Sequence, residues 1–242
     1  MPHGRWSDQP HLPRASFIPA LGRIQTVGLQ RMVFLVNAEN RHLFAHDLSE
    51  MHLHRKRVFV EGLGWPLPLI GAFETDRYDG EDVMYLLVKD DLHGRLRASA
   101  RLLRTDRPHP LLDLFPHLCD NGVPQGANVW EVSRFCPNPL TRRRDRLALL
   151  WQIMCASLET ALLFDIERLT FVANRALRPL ALHCGWDAVP LGSTGPDRDD
   201  EVTAIAVAVT RSGLRRVRER FGIAGPVIRF FPAAATAARV AA

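Results

Sequence analysis

Between Arg55 and Arg134 the chain strings together charged and aromatic residues of types that can bind a ligand carrying both signs of charge. Arg55, Phe59 and Trp65 come first, within HRKRVFVEGLGW. Glu74, Asp76 and Asp79 follow in ETDRYD, then Arg101 in ARLLRT, Phe115 in DLFPHL, and Glu131 with Arg134 in WEVSRF. Arginines present rigid forked donors to a carboxylate. Acids offer negative charge to a cation, and aromatic faces cover a cation and exclude water, which strengthens the electrostatics beside it. A plainer reading stays open: Asp76, Asp79, Arg101, Glu131 and Arg134 can form a buried ion-pair lattice that holds the fold and touches no substrate.

Other chemistry-bearing residues are fewer. His46, His52 and His54 lie close together on one helical stretch without a third ligand at a metal-binding spacing, so a solvated face is expected and no metal. Cys119, Cys136, Cys155 and Cys184 form no CxxC pair, and buried reduced thiols are expected. GxSxG, HExxH, GxxxxGK[ST] and GxGxxG signatures are absent. The loop NPLTRRRDR (138–146) places Arg142, Arg143 and Arg144 between a strand and the longest helix.

The elements that must position these residues are readable from periodicity. MVFLV (32–36) reads as a strand, and Asn40–Phe59 carries an apolar helical face that Pro66 and Pro68 end. Strands are predicted at Val83–Val88, Leu96–Leu103, Val129–Phe135, Leu169–Ala173, Val202–Val209 and Val227–Phe231. Asp106–Gln125 reads as loop with a short helix near Leu111–Leu114, and residues 190–200 as loop. Asp145–Phe164 is the clearest helix, with apolar residues at three- and four-residue spacing; shorter ones are expected at Arg175–His183 and Ser212–Phe221. Helices interleaved with strands, not in strict alternation, predict one α/β domain with a mixed sheet.

Composition bounds the partners. The 242 residues are 47% hydrophobic and 24% charged, an ordinary globular balance. Net charge is +5, and all but Lys56 and Lys89 of the 31 basic residues are arginine, which suits anionic partners. The arginines form no stripe with interleaved aromatics, so nucleic acid is not expected. Apolar runs such as Ala204–Val209 are too short to span a bilayer, and the N-terminus lacks a secretory signal, so a cytoplasmic protein is expected. Residues 1–31, with four prolines, read as a flexible extension, with Met32 as a possible internal start; 32–232 read as the domain and 233–242 as an Ala-rich tail.

The constellation from Arg55 to Arg134 resembles, in order and spacing, the LuxI-type acyl-homoserine-lactone synthases. That family shows the same arginine, phenylalanine and tryptophan, an E-x-D-x-Y-D motif, an R-L-x-x-T strand, an L-x-x-x-F-P loop and a W-E-x-S-R-F strand; Cys184–Trp186 extends the likeness. Arg104 and Ala98 depart from it, standing where proline and glycine are common. The resemblance implies a single GNAT-like (acyl-CoA N-acyltransferase) domain whose V-shaped mixed sheet, flanked by helices, admits an acyl thioester. It implies an acyltransferase that joins S-adenosylmethionine to that thioester, from acyl-CoA or acyl carrier protein, and releases methylthioadenosine. No permanently bound cofactor is implied. Under it Glu131 is the preferred general base, with Asp76 and Arg101 also catalytic; Arg55, Phe59, Trp65, Asp79, Phe115 and Arg134 bind substrate. Thr170 falls near a threonine that some relatives link with 3-oxo chains, though an ordinary strand threonine fits as well. Arg142, Arg143 and Arg144 would meet a phosphopantetheine phosphate or an acidic carrier, or form a solvated basic turn. The alternative is another N-acyltransferase of this fold with a different amine, which leaves the charged and aromatic constellation without a purpose.

Overall fold

The computed structural model describes residues 32–91, 93–193 and 202–231; the predicted extension, the tail and most of the loop at 190–200 lie outside them. Ten strands are described: β1 (Met32–Val36), β2 (Leu69–Ile70), β3 (Phe73–Glu74), β4 (Met84–Lys89), β5 (Leu96–Arg104), β6 (Val129–Pro137), β7 (Arg168–Asn174), β8 (Asp187–Pro190), β9 (Val202–Ala208) and β10 (Ile228–Phe230). With them come α1 (Ala45–Arg55), α2 (Pro110–Leu114), α3 (Arg143–Leu163), α4 (Arg178–His183) and α5 (Arg211–Phe221). Eight strands form one mixed sheet in the order β10–β1–β4–β5–β6–β7–β9–β8, while β2 and β3 form a separate small hairpin.

The sheet is covered on both faces, so β1 and most of β4 are continuously apolar rather than alternating. Val33, Leu35, Leu86 and Val88 pack toward α3 and α5, while Phe34, Val36, Tyr85 and Leu87 pack toward α1. This is why MVFLV is a continuous apolar run. The predicted V is present. Strands β6 and β7 pair in parallel through Val129–Glu131 and Arg168–Thr170, then part. Beyond that point β6 stays on β5 as far as Pro137, and β7 stays on β9 as far as Asn174, so the two wings diverge.

Three sequence expectations are corrected here. Helix α3 is not amphipathic along its length: it is buried continuously from Ile153 to Ala161, between the sheet, edge strand β10 included, and α5. Its one acid there, Glu159, is matched by Arg218 Nη2 at 2.7 Å and by the N–H groups of Val227 and Ile228 at 2.9 and 3.0 Å. Among the described residues α3 is the one helix long and apolar enough to cross a membrane, and that composition here serves a buried core position. The helix predicted over Asn40–Phe59 is built in three pieces, a 3-10 turn at Arg41–Phe44, α1, and a π-helical turn at Lys56–Gly62. Finally, β2, β3 and β8 went unpredicted, being two to four residues long and largely exposed.

Candidate active site

Helix α1 continues into the π turn so that Met51, Arg55 and Phe59, at four-residue spacing, face the sheet and are buried. The wide turn then folds the chain back, with Trp65 N–H donating to Phe59 O at 2.9 Å. The two rings stack at 5.2 Å and 10°, and the Arg134 guanidinium lies 5.7 Å from the Phe59 ring centre. π-helical turns recur at functional sites because they re-aim a helix face.

The acids arrive from the hairpin. Glu74 ends β3, and the turn after it is closed by its own side chains: Asp79 Oδ2 accepts Asp76 N–H, and Asp76 Oδ1 accepts Tyr78 N–H, both at 2.9 Å. Arg55 bonds Glu74 through Nε and grips Asp79 with both terminal nitrogens at 2.8 Å. Arg101, on β5, forks onto Asp76 at 2.6 and 3.1 Å, reaches Asp79 at 2.8 Å, and donates Nε–H to Ser133 at 3.1 Å. Arg134 donates to Glu74 at 3.1 Å and Asp76 at 2.9 Å. Tyr85 OH adds a bond to Asp79 at 2.9 Å. Three guanidiniums thus face three carboxylates, a balance that makes their burial tolerable.

A β-bulge brings Arg134 into this network. Ser99 pairs with Cys136 and Arg101 with Ser133, so between those pairs the single Ala100 of β5 opposes both Arg134 and Phe135 of β6. Simple alternation would set Glu131 and Arg134 on opposite faces. The extra residue, with Arg134 at φ 54°, turns both toward the α1 side. Non-glycine residues seldom adopt such a φ, and those that do cluster at functional sites.

Electrostatics divides the network into an interior and a rim. Burial opposes the charge of every guanidinium. In Arg55 and Arg101 the facing carboxylates outweigh it and raise the pKa, whereas in Arg134 burial prevails and lowers it. Burial also works against the Asp79 carboxylate, but Arg55 and Arg101 overcome it and hold the group well below the usual carboxylate range. Arg55, Arg101 and Glu74 are sealed, while Arg134 keeps 13% of its side-chain exposure and Asp76 keeps 7%. Trp65 is half-buried beside them. A ligand can therefore reach Arg134, Asp76 and Trp65 more readily than the residues behind them.

Glu131 stands outside the ion-pair lattice that the sequence left open for it, and Phe115 does not join this group either. Glu131 projects from the same face of β6 two residues before Ser133, and its Oε2 meets His109 Nδ1 at 2.7 Å and Leu111 N–H at 3.0 Å. Phe115 follows α2 and packs with Leu111, Leu118, Val172 and Ala204, on the β7–β9 wing, rather than with Phe59 and Trp65. The Asp106–Gln125 segment thus crosses the opening between the wings, and Asp113 ties it to the acidic turn through Arg77 at 2.8 Å and Tyr78 OH at 2.9 Å. Thr170 is buried in register with Glu131 at the point where the wings part, its hydroxyl donating to Trp130 O at 3.4 Å.

Arg142, Arg143 and Arg144 are exposed at the start of α3, and Arg144 lies 3.9 Å from Asp145. His46 is exposed and His54 buried, while His52 is half-buried with its Nδ1 2.7 Å from Glu74 O. The four cysteines are unbridged and buried, and burial pushes the Cys136 and Cys155 thiols up to about 12. Of the two departures, Arg104 is a surface partner of Asp106, and Ala98 is buried opposite Pro137. Sequence reasoning named Glu74 in the constellation but gave it no role, although it opens the acidic motif and bridges Arg55 to Arg134. It also missed His109, which sits among prolines with no periodic pattern to single it out.

Comparison with known proteins converges on one family. The profile of the autoinducer synthase family matches residues 39–217. An isovaleryl-homoserine lactone synthase of Bradyrhizobium diazoefficiens is 32% identical over 196 residues, covering 79% of this chain and 86% of that protein. An acyl-homoserine-lactone synthase of Ralstonia solanacearum is 40% identical over 115 residues, but the match spans 43% of this chain and only 56% of that protein. Among solved structures, the CoA-dependent acyl-homoserine lactone synthase BjaI, with SAM and isopentyl-CoA, superposes with a TM-score of 0.72 at 28% identity, covering 87% of this chain and 99% of that one.

Proposed function

Because the chain belongs to the autoinducer synthase family, we propose that it makes an N-acyl-homoserine lactone from S-adenosylmethionine and an acyl thioester. The observation that carries this reading is the face of β6 beside the opening of the V. Glu131 and Arg134 project from that one face, with Asp76 of the acidic turn bonded to Arg134 and the stacked Phe59–Trp65 pair beside it. S-adenosylmethionine has an ammonium, a carboxylate and a sulfonium. Arg134 suits the carboxylate, Asp76 a cationic group, and Trp65 the sulfonium side, while the thioester enters between β6 and β7.

Glu131 acts as general base. The amine loses its proton to Glu131 and attacks the thioester carbonyl; the amide bond forms, the C–S bond breaks and the thiol leaves. The carboxylate of the acylated product then attacks the carbon bonded to the sulfonium, which closes the lactone and expels methylthioadenosine. Arg55, Arg101, Asp79 and Glu74 bond one another and, beyond that, Asp76, Arg134, Ser133 and Tyr85, so their part is to hold Asp76 and Arg134 in place. Arg142, Arg143 and Arg144 meet the anionic part of the donor, whether CoA or a carrier protein, at the start of α3. The work is that of a cytoplasmic enzyme, since both substrates are made there.

Methylthioadenosine release by the purified protein, with acyl-CoA and acyl-carrier donors of differing chain, tests the reaction, and the mass of the lactone reads the chain. Glu131→Gln should lower kcat by about 10²–10⁴-fold. A variant with wild-type turnover removes Glu131 from the base role; a wild-type protein that releases no methylthioadenosine with any donor overturns the reading itself.

A further inference from the structure

Behind Glu131 stands a residue that the proposed reaction has not yet used. His109 is fully buried, its Nδ1 is 2.7 Å from Glu131 Oε2, and its Nε2 has no hydrogen-bond partner among the described residues. The same Glu131 oxygen accepts Leu111 N–H at 3.0 Å. We propose that His109 is a positioning residue for Glu131: it holds Oε2 with an N–H and leaves Oε1 as the oxygen that takes the proton of the amine. This rests on the reading of Glu131 as the base.

The placement of the histidine proton follows from the orphaned nitrogen. If Nδ1 accepted from a protonated Glu131, the ring proton would sit on Nε2 as a buried N–H with nothing to bond. Buried orphan N–H groups are rarer than buried acceptors short of a partner. With the proton on Nδ1, the ring donates to a carboxylate that only accepts, and Nε2 keeps a bare lone pair. Two donors on Oε2, both from the segment that crosses the V, then fix the plane of the carboxyl group. A base must be held in one orientation to reach a bound amine, and loss of that orientation reduces turnover rather than binding. His109 is the residue immediately before α2, within RPHP, so one segment both roofs the opening and aims the base.

Four variants test this by methylthioadenosine release with S-adenosylmethionine and, as acyl donors, straight-chain acyl-CoAs, the branched thioester isovaleryl-CoA and the matching acyl-carrier thioesters. His109→Leu should lower kcat about 10- to 100-fold, the range seen when a partner that orients a reacting group is lost, with KM for both substrates little changed. His109→Asn places an amide N–H close to the position of Nδ1 and should recover most of that loss. His109→Leu combined with Glu131→Gln should be no slower than Glu131→Gln alone, because the two residues act as one unit. Wild-type kcat in His109→Leu, a change confined to KM, an Asn variant no better than Leu, or additive losses in the double variant would each overturn the inference. Thermal unfolding of each variant identifies a loss that is merely one of folding, which Asn rescue of kcat at equal Tm excludes. If Glu131→Gln is slow and His109→Leu is not, only the role of His109 falls. If Glu131→Gln turns over at the wild-type rate, the base reading falls first.

Discussion

At the residue scale the site is a case of charges buried because they satisfy one another. Arg55, Arg101 and Asp79 have no water to fall back on, so removing one charge leaves its partners uncompensated. Asp79→Asn should therefore lower the free energy of unfolding by about 3–5 kcal/mol at neutral pH, read from denaturant titration. The pH dependence has a definite sign. Burial raises the Asp79 pKa but Arg55 and Arg101 more than reverse this, so its folded value lies below its unfolded value of about 3.9. A depressed acid stabilises the fold above the unfolded value and gives up that contribution as pH falls. The gap between wild type and Asp79→Asn should be widest near neutrality and narrow as pH drops below about 4. A gap that widens in acid would show that Asp79 is not held as the geometry implies.

At the scale of elements, irregularities do the positioning. The π turn after α1 folds Trp65 onto Phe59, and the bulge in β6 turns Arg134 to the face of Glu131. A third irregularity supports the far wing. Gly185 lies between α4 and β8 at φ 116°, and a Cβ there would stand 3.3 Å from the backbone of Arg216 in α5. Its carbonyl accepts Arg216 Nε–H at 2.7 Å, and the next residue, Trp186, donates to Ala181 O at 2.5 Å. The close approach and the positive φ both call for glycine. Gly185→Ala should cost about 1–3 kcal/mol, seen as a lower Tm, while the geometry around Glu74 and Asp76 is untouched. An unchanged Tm would mean that α5 can move aside freely.

At the scale of the whole molecule the sheet gives each wing a separate task. The β5–β6 wing carries the charged network and Glu131, the β7–β9 wing carries Thr170 and the packing for Phe115, and α3 leads from the opening into the core. The start of α3 bears Arg142, Arg143 and Arg144, all exposed, where the positive end of the helix dipole adds to their charge. Reversing all three to glutamate should raise KM for the acyl donor and leave KM for S-adenosylmethionine and the unfolding midpoint near wild type. An unchanged donor KM assigns these arginines to the solvated surface alone. High salt should mimic the effect in part, since exposed charges are screened over about 8–10 Å.

Much of this was legible in the chain. The continuous apolar strands, the long helix over Asp145–Phe164 and the charged and aromatic series from Arg55 to Arg134 are written in residue type and spacing, and the order of that series was enough to suggest the family. Local rules could not show which charges meet. Arg101 and Asp76 are far apart in sequence and become partners only because β5 lies beneath the acidic turn. Strand alternation alone would put Arg134 on the wrong face, because a single extra residue in a strand leaves no mark in hydrophobic period. The same limit hid the pairing of His109 with Glu131 and the departure of Phe115 from the other aromatics. A side chain's type and spacing are properties of the chain; its partner depends on how distant segments cross, and only the packed sheet decides that.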